Sequence, residues 1–420
     1  MKGFLAIFRN EFRSVLRSKT LLLLLIAGVA WMLGAPRLFT GDGTTEGLRE
    51  MSLHYSLGGV AALLAVSLLI AATGSIAKER AAKRLALTMV RPVRYFTIAL
   101  GKIFAYVLCG ALVLAVCAPI ELLRQPEAPC RHVRRPVMPT PHQEAEEMYE
   151  LFMASSNTPA KVKATKKSVV LRLLANRAKD RYDTIGTNAC WRWKFDLGGE
   201  GASDPAVAPS VRFRFSASFG QREEVIGTLD CGAFHSSLSN QTQSVIEVPL
   251  WRTEVGGFGD ELVFCNQGKT PLMLRPRRDV ELLTPGDAFG WNLLRAYLEL
   301  VGMLSLLISF GVFLGASLGR PAALFTAIAV LLLSEMAPSV IDQYTDELET
   351  DRTDAIGLAI TRAAADLTRP VSALRPMEAL SLDECVEPRE VTRVLLADVV
   401  LMPLLFAFLS ALVMPRKQDF

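Results

Sequence analysis

The sequence predicts an α-helical polytopic membrane protein with six transmembrane helices and a large exterior α+β insert containing a β-sandwich or jelly roll. Hydrophobic residues make up 51% of the 420 residues, and the mean hydropathy is +0.30. These residues occur in long apolar blocks, which is typical of membrane spans. Between the third and fourth blocks, about 100 residues alternate as half-buried strands do, enough for one sandwich core. The net charge of +4 gives no reason to expect nucleic-acid binding.

The chain begins with a candidate interfacial helix over residues 1–19, an elbow that leads into the membrane. Apolar residues recur at helical spacing on one side, and basic residues occupy the other. The apolar set is Phe4, Ile7, Phe8, Phe12, Val15 and Leu16, and the basic set is Lys2, Arg9, Arg13 and Arg17. Residues 20–35 form the first predicted span. A cleaved signal peptide is the competing interpretation, but the long amphipathic lead and the later spans favour an uncleaved anchor.

Five further spans are predicted, at residues 57–77, 103–120, 291–318, 321–340 and 394–414. The chain thus divides into spans one to three (20–123), spans four and five (291–340), and span six with a tail (394–420). Six spans place both termini in the cytoplasm, and the most basic loop and the C-terminal tail then lie inside, as the positive-inside rule requires. Residues 341–393 form an acidic exterior loop without lysine. The expected location is the cell (inner) membrane.

The loop at residues 78–102 joins spans two and three and is strongly basic. Its charged residues are Lys78, Arg80, Lys83, Arg84, Arg91, Arg94 and Lys102, against the single acid Glu79. A leucine-containing helix, a break at Pro92 and a new helix start give the loop a definite pattern. Such a loop suits docking to a cytoplasmic partner, although an ordinary positive-inside loop explains the charge equally well.

This loop resembles the cytoplasmic loop of type-2 permeases of the ATP-binding-cassette (ABC) exporter superfamily. The family pattern is Glu-Arg, a leucine-rich helix, Pro-Val, and Gly-Lys at the start of the next span. The matching residues are Glu79, Arg80, Leu85, Pro92, Val93, Gly101 and Lys102. Lys83 and Arg84 stand where members often have Gly-Thr, and Arg94-Tyr95 replaces the usual Ser-Arg. The resemblance covers the membrane portions, about half of the chain, and not the insert.

The resemblance implies a membrane permease subunit driven by a separate ABC ATPase subunit. ATP and magnesium would bind in that partner, so this chain is expected to bind no cofactor and to carry no catalytic residue. The permease would pair as a homodimer, or with a related second permease, in the lipid bilayer. The residues expected to dock or couple the ATPase are Glu79, Arg80, Lys83, Arg84, Pro92, Val93, Arg94, Gly101 and Lys102.

The exterior insert spans residues 124–290. A proline-rich linker and two helices, at 143–154 and 160–182, occupy 124–188, and the β-sandwich occupies 189–290. The insert could bind an envelope protein or a polysaccharide. The transporter would then transmit force to that partner instead of exporting a small solute. The alternative function is a membrane-anchored exterior binding or sensor module without transport activity.

The seven cysteines divide by their place in this topology. Cys109 and Cys117 lie in the third span as apolar fillers. The other five are exterior, where an oxidising environment permits disulfides: Cys130, Cys190, Cys231, Cys265 and Cys385. The odd number leaves one over, and spacing does not assign the pairs.

The sequence shows no metal-binding or nucleotide-binding pattern. The segment ending in Gly268-Lys269-Thr270 lacks the first glycine of a phosphate-binding loop, because Val263 occupies that position. The segment from Gly315 to Gly319 matches a nucleophile elbow, but a predicted transmembrane helix precedes it instead of a strand. The four histidines have no carboxylate or serine at a catalytic spacing.

Two sets of residues inside the spans are candidates for function. Gly311, Gly315 and Gly319 form a small-residue stripe that would let a neighbouring helix approach closely. Charged residues at similar depth suggest an outer polar cluster, comprising Arg295, Glu299, Glu335 and Asp398. Snorkelling of each charge to the exterior interface is an equally good explanation.

Overall fold

The computed structural model describes residues 2–38, 45–81, 94–124, 129–155, 167–179, 181–195, 209–217, 223–232, 234–242, 244–250, 261–330, 332, 375–381 and 384–414. The chain forms two units, each with its own contacts. The helical unit comprises Met1–Cys130, Asp287–Ile341 and Arg352–Phe420. The sheet unit comprises Arg131–Gly286 and Asp342–Asp351. The predicted short helix at residues 355–367 lies outside the described residues.

The helices are numbered here in chain order. They are α1 (Lys2–Leu16), α2 (Lys19–Leu38), α3 (Thr45–Ala81), α4 (Tyr95–Arg124), α5 (Pro141–Ala154), α6 (Lys167–Lys179), α7 (Phe289–Ser317), α8 (Arg320–Val330), α9 (Arg375–Ser381), α10 (Pro388–Val394) and α11 (Met402–Val413). A π-helical turn at Leu395–Leu401 joins α10 to α11.

The protein is a membrane protein by the length and composition of its helices. Four are long and apolar enough to cross a bilayer, at Tyr55–Arg80, Tyr95–Arg124, Phe289–Ser317 and Pro388–Val413. The bent pair α1 and α2 gives a fifth candidate, with 59° between its helices. α8 is shorter, and nearly all of the predicted fifth span beyond Val330 lies outside the described residues. The described residues therefore show four to five candidate spans and not six.

Helix α7 lies at the centre of the helical unit. It contacts α3, α4, α10 and α11, and its apolar residues belong to one core shared with those helices. Val312, Leu304 and Ile308 on α7 are fully buried. The last span is far more exposed, with Leu396, Leu401 and Phe408 on its outer side. α7 therefore contributes to the packing of most of the helical unit.

The bend between α1 and α2 has a local cause at Ser18. Its hydroxyl donates to the carbonyl of Val15 at the end of α1, and accepts from the amide of Leu21 in the first turn of α2. One side chain thus hydrogen-bonds to a backbone carbonyl at the end of α1 and to a backbone amide at the start of α2. The N-terminal amphipathic helix predicted from the sequence is present as α1.

The sheet unit contains eleven described strands. They are β1 (Pro129–Arg134), β2 (Asp183–Ile185), β3 (Cys190–Lys194), β4 (Ser210–Arg214), β5 (Ser216–Ala217), β6 (Glu224–Cys231), β7 (Phe234–Gln241), β8 (Val245–Pro249), β9 (Glu261–Asn266), β10 (Leu272–Leu274) and β11 (Val280–Ala288). They form two four-stranded sheets, β1-β11-β4-β8 and β3-β9-β6-β7, and a small sheet β2-β10-β5. The registered pairs within these sheets are antiparallel.

The strands of the two larger sheets are nested. β1 pairs with β11, β3 with β9, β4 with β8 and β6 with β7, and apart from the β6–β7 hairpin successive strands alternate between the sheets. This is the strand order of a jelly roll. Two parts of the prediction need correction. The segment beginning at Pro129, expected to be linker, forms β1, and residues Asp183–Ile185, expected to precede the sandwich, form β2.

Aromatic rings fill the space between the sheets. Phe213, Phe215 and Phe264 are fully buried, with ring centroids 4.9–6.0 Å apart, and Trp193 lies 5.8 Å from Phe213. They come from β3, β9, β4 and the residue after β4, so they join the two larger sheets into one core. Burying each ring contributes roughly 1.5–3 kcal/mol. The sheet unit therefore has a core of its own.

A carboxylate joins helix α5 to the strands. Glu144, at 7% exposure, accepts from Arg181 at 2.7 Å and from Arg277 at 2.8 Å, and Arg181 also donates to Asp183 at 2.8 Å. Burial lowers the pKa of Arg181, but the carboxylates of Asp183 and Glu144 outweigh it and hold that pKa above its ordinary value. Arg181 therefore stays charged and keeps the helix attached.

Candidate functional site

The basic loop is anchored by a buried ion-pair group, here called the Lys102 node and defined as Glu11, Glu79, Arg80, Gly101 and Lys102. The Nζ atom of Lys102 lies 2.8 Å from a carboxylate oxygen of Glu79 and 3.1 Å from one of Glu11. The Lys102 side chain is only 3% exposed. A charge that is buried needs such partners, because desolvation otherwise costs several kcal/mol. Lys102 therefore ties α4 to both α3 and α1.

Gly101 allows α1 to reach this position. A Cβ atom at Gly101 would lie 3.0 Å from Cγ2 of Ile7 and 3.4 Å from the backbone nitrogen of Phe8. A larger residue would therefore push α1 away from α4. The Gly101-Lys102 pair thus combines a close backbone approach with an ion pair across the same helix contact.

Arg80 connects the same region to the central helix. Its guanidinium donates to the carbonyl oxygens of Ala316 at 2.9 Å and Leu318 at 2.8 Å, at the C-terminal end of α7. The last carbonyls of a helix lack donors from within the helix, and a cation there also meets the negative end of the helix dipole. Arg80 thereby caps α7 from α3.

Replacing Arg80 with Gln should destabilise the helical unit by about 1–3 kcal/mol, because two carbonyls at the end of α7 lose a charged donor. The exposed Arg94 is the control, since Arg94→Gln changes the same chemistry without a donor role of this kind. Thermal unfolding of both variants in detergent measures the difference. Equal stability of the two variants would show that the contact of Arg80 with the end of α7 does not stabilise the helical unit.

The docking residues expected from the sequence have different surroundings. Glu79, Arg80, Gly101 and Lys102 contact the chain's own helices, and Arg94 is exposed at the start of α4. Lys83, Arg84, Pro92 and Val93 lie outside the described residues. The sequence analysis did not single out Glu11, although it is the only acid among the first 19 residues. A lone acid on a basic amphipathic helix is a signal that could have identified it.

The three glycines of the predicted stripe have different surroundings. A Cβ atom at Gly315 would overlap the carbonyl of Thr73 on α3, and one at Gly311 would lie 3.0 Å from Leu69 and 3.2 Å from Ala72. A Cβ at Gly319 would meet nothing within 4 Å. Gly311 and Gly315 therefore lie where α3 and α7 approach most closely, and Gly319 lies beyond that contact.

The described members of the predicted outer polar cluster have different recorded neighbours. Arg295 pairs with Asp287 at 2.7 Å, and Glu299 lies near Glu390 on α10. Asp398 is buried against α7, and Glu335 lies outside the described residues. The described contacts therefore place Arg295 with a partner that the sequence analysis did not consider.

Arg295 and Asp287 belong to a second group of contacting residues, here called the collar. It is defined as Cys130, Asp287, Asn292, Arg295 and residues 384–386. A disulfide joins Cys130 to Cys385. The Asn292 side-chain amide donates to the carbonyl of Glu384 at 2.7 Å, and its oxygen accepts from the amide of Val386 at 2.7 Å. The collar joins the chain after α4, the start of α7 and the approach to the last span.

The collar and the Lys102 node lie at opposite ends of the same helices. Lys102 is near the start of α4 and Arg80 caps the end of α7, whereas the collar follows α4 and includes the start of α7. The second disulfide, Cys190–Cys265, links registered residues of β3 and β9 in the sheet unit. Cys231 is a buried thiol in the sheet core, and Cys109 and Cys117 are buried in α4.

Breaking the collar disulfide should destabilise the folded chain by about 2–4 kcal/mol, because the bond closes a sequence separation of 255 residues. Cys130→Ser, Cys385→Ser and the double variant should unfold at similar temperatures, since each removes the same bond. Non-reducing peptide mapping verifies the pairing in the wild type. Wild-type peptides that join Cys130 or Cys385 to another cysteine would contradict the assignment.

No group of three or more histidine, cysteine or acidic side chains that could hold a metal occurs within the part of the chain that the structure describes. His235 contacts Asp230 across the β6–β7 hairpin, with both side chains exposed. Comparison with known proteins finds no match among family models, curated proteins or solved structures.

Proposed function

We propose that this chain is the membrane permease subunit of an ATP-driven ABC exporter. The observation that carries the proposal is the Lys102 node. It connects both ends of the basic loop, at Glu79 and Lys102, to the amphipathic helix α1 and to the end of α7. A loop held in this way can pass a displacement to several spans at once, which is what coupling to an external motor requires.

The proposal includes six spans and an orientation. The spans are α2, α3, α4, α7, a fifth beginning with α8, and the last span from α10 to α11. The node end carries Arg80, Arg94, Lys102 and Arg320, which favours the cytoplasmic side. The opposite end carries the collar disulfide, and disulfides persist in oxidising exterior compartments. Both termini would then be cytoplasmic.

The partner supplies the energy in this account. A separate ABC ATPase subunit, with ATP and magnesium bound in it, docks on the basic loop and on α1. The permease pairs with a second copy or with a related permease in the lipid bilayer. Glu79, Arg80 and Lys102 hold the loop in place from within, while the exposed Arg94 is available for contact with the ATPase.

Affinity purification from membranes in mild detergent tests the proposal, with mass spectrometry to identify the ATPase that accompanies the wild-type chain. Arg94→Glu should reduce recovery of that ATPase at least tenfold, because charge reversal at an exposed docking residue opposes the partner's acidic surface. Arg393→Glu, an exposed arginine at the other end of the helical unit, is the matched control and should leave recovery unchanged. Absence of any ATPase from the wild-type preparation would contradict the proposal.

The exterior sheet unit supports a force-transmitting version of this function. It follows α4 and precedes α7, and the collar fastens both of those connections to the approach of the last span. Its strand order is that of a jelly roll, an architecture that lectin domains use, so a polysaccharide or an envelope protein is the proposed class of partner.

A membrane-anchored binding or sensor module without transport is the second candidate. The independent core of the sheet unit favours it, since a module with its own core can bind a ligand without help from the spans. The purification separates the two candidates. The binding module requires that no ATPase accompanies the chain and that ligand binding is retained by Arg94→Glu.

A further inference from the structure

Asp398 is a buried acid in the last candidate span. Its side chain is 2% exposed, and its Oδ2 atom has no hydrogen-bond partner among the residues that the structure describes. Most acids inside membrane spans pair with a cation or face water, because an isolated charge there is costly. Asp398 therefore requires a physical explanation.

The backbone adds a second unsatisfied acceptor at the same residue. Asp398 lies in the π-helical turn, where the amide of Met402 donates to the carbonyl of Ala397. The next residue, Pro403, has no N–H to donate. The carbonyl of Asp398 is thus left without either of the donors that a helix would provide. Two acceptors at one buried position cost several kcal/mol in a membrane unless a donor reaches them.

Helix α7 lies directly against this position. A Cβ atom at Gly302 would overlap Val394 and would lie 3.7 Å from Cβ of Asp398. Ser305, one turn further along α7, is 1% exposed, and its hydroxyl also has no partner within the described part of the chain. Gly302 therefore lets the residues around the π turn approach α7 closely.

Among the described residues, the elements that contact Asp398 carry no cation recorded as its partner. On α7 the charged residues are Arg295, which binds Asp287, and Glu299, which lies near Glu390. On α10 they are Arg389, Glu390 and Arg393, all exposed. α11 carries no charged residue, and the hydroxyl of Tyr297 on α7 donates to the carbonyl of Ala111. None of these groups supplies a donor to Asp398 among the described contacts.

We propose that Asp398 is a proton-binding site inside the helical unit. With the last span packed on α7, the carboxylate takes a proton from water and becomes a neutral carboxylic acid, which removes the buried charge and creates a donor. When the two helices separate and water enters, the acid returns the proton to water. The site uses only the carboxyl, a proton and water, and it does not depend on whether an ATPase docks.

Infrared difference spectroscopy of the chain reconstituted in lipid tests the site. The wild type should show a carboxylic C=O band at neutral pH that is lost in Asp398→Asn, an isosteric change. Glu144→Gln is the matched control. Glu144 is buried too, but its Oε1 accepts from Arg181 at 2.7 Å and its Oε2 accepts from Arg277 at 2.8 Å, so both of its oxygens have a charged donor. This control should keep the band.

Three results would overturn the proposal: no band in the wild type, a band unchanged in Asp398→Asn, or equal loss in both variants. Equal loss would mean that the band reports the fold of the whole chain and not the Asp398 carboxyl. Titration of the wild type needs no variant and remains informative if Asp398→Asn misfolds. The band should disappear reversibly as the pH is raised from mildly acidic to alkaline, and a band that does not change would exclude exchange of a proton with water.

Discussion

Lys102→Met should destabilise the helical unit by about 3–5 kcal/mol, one of the two largest effects expected of a single substitution. The change keeps the apolar stem of the side chain but removes the charge that satisfies Glu79 and Glu11. Both carboxylates then remain near a buried position without their cation. We expect a much lower yield of folded protein from membranes and a lower unfolding temperature in detergent.

The matched control for Lys102→Met is Lys78→Met, which removes an exposed lysine near the end of α3. Exposed charges contribute little to stability, so this variant should unfold within about 0.5 kcal/mol of the wild type. Adding Glu11→Gln and Glu79→Gln to Lys102→Met should restore much of the lost stability, because neutral amides tolerate burial better than carboxylates do. If the triple variant is no more stable than Lys102→Met, the loss comes from packing and not from the ion pairs.

Gly315→Leu is the second substitution with a large expected effect. Any Cβ at this position overlaps the carbonyl of Thr73, which belongs to the backbone of α3 and cannot rotate away. The side chain would force α3 and α7 apart along the centre of the helical unit. We expect a loss of more than about 3 kcal/mol, at the upper end of the cost of overpacking.

The glycine stripe supplies its own controls for Gly315→Leu. Alanine should be tolerated at Gly319, which has open space, should cost a moderate amount at Gly311, and should cost most at Gly315. Unfolding temperatures of the three alanine variants, measured in the same detergent, test this order. A Gly319→Ala variant as unstable as Gly315→Ala would show that the close approach to α3 does not decide the effect.

Four of the six predicted spans coincide with helices long enough to cross a bilayer, because each contains a long apolar block. Their ends were harder to predict. α3 and α4 continue beyond the predicted spans, to Ala81 and from Tyr95, since the charged residues at these ends pair with one another instead of ending the helix. Lys102 was treated as part of a loop because the sequence does not show that Glu11 lies beside it.

The strands were predictable where one face is apolar and the other polar, as in β4 and β9. β7 is hard to recognise from its sequence, FHSSLSNQ, because only Phe234 and Leu238 are buried and its other side chains are mostly polar. β1 was missed because prolines flank it, although its place at the edge of a sheet tolerates them. The disulfide pairs could not be deduced, since Cys130 and Cys385 are brought together only by the helices between them.

The proposed permease requires that the basic loop and the sheet unit lie on opposite sides of the membrane, so that a displacement at one reaches the other through the spans. α4 is the only candidate span between Arg94 and the start of the sheet unit. Single cysteines introduced at Arg94 and at Ser237, an exposed residue of β7, can be labelled in intact cells with a membrane-impermeant maleimide. The account predicts that Ser237→Cys is labelled in intact cells and that Arg94→Cys is labelled only after the membrane is opened. Labelling of both positions in intact cells would contradict it.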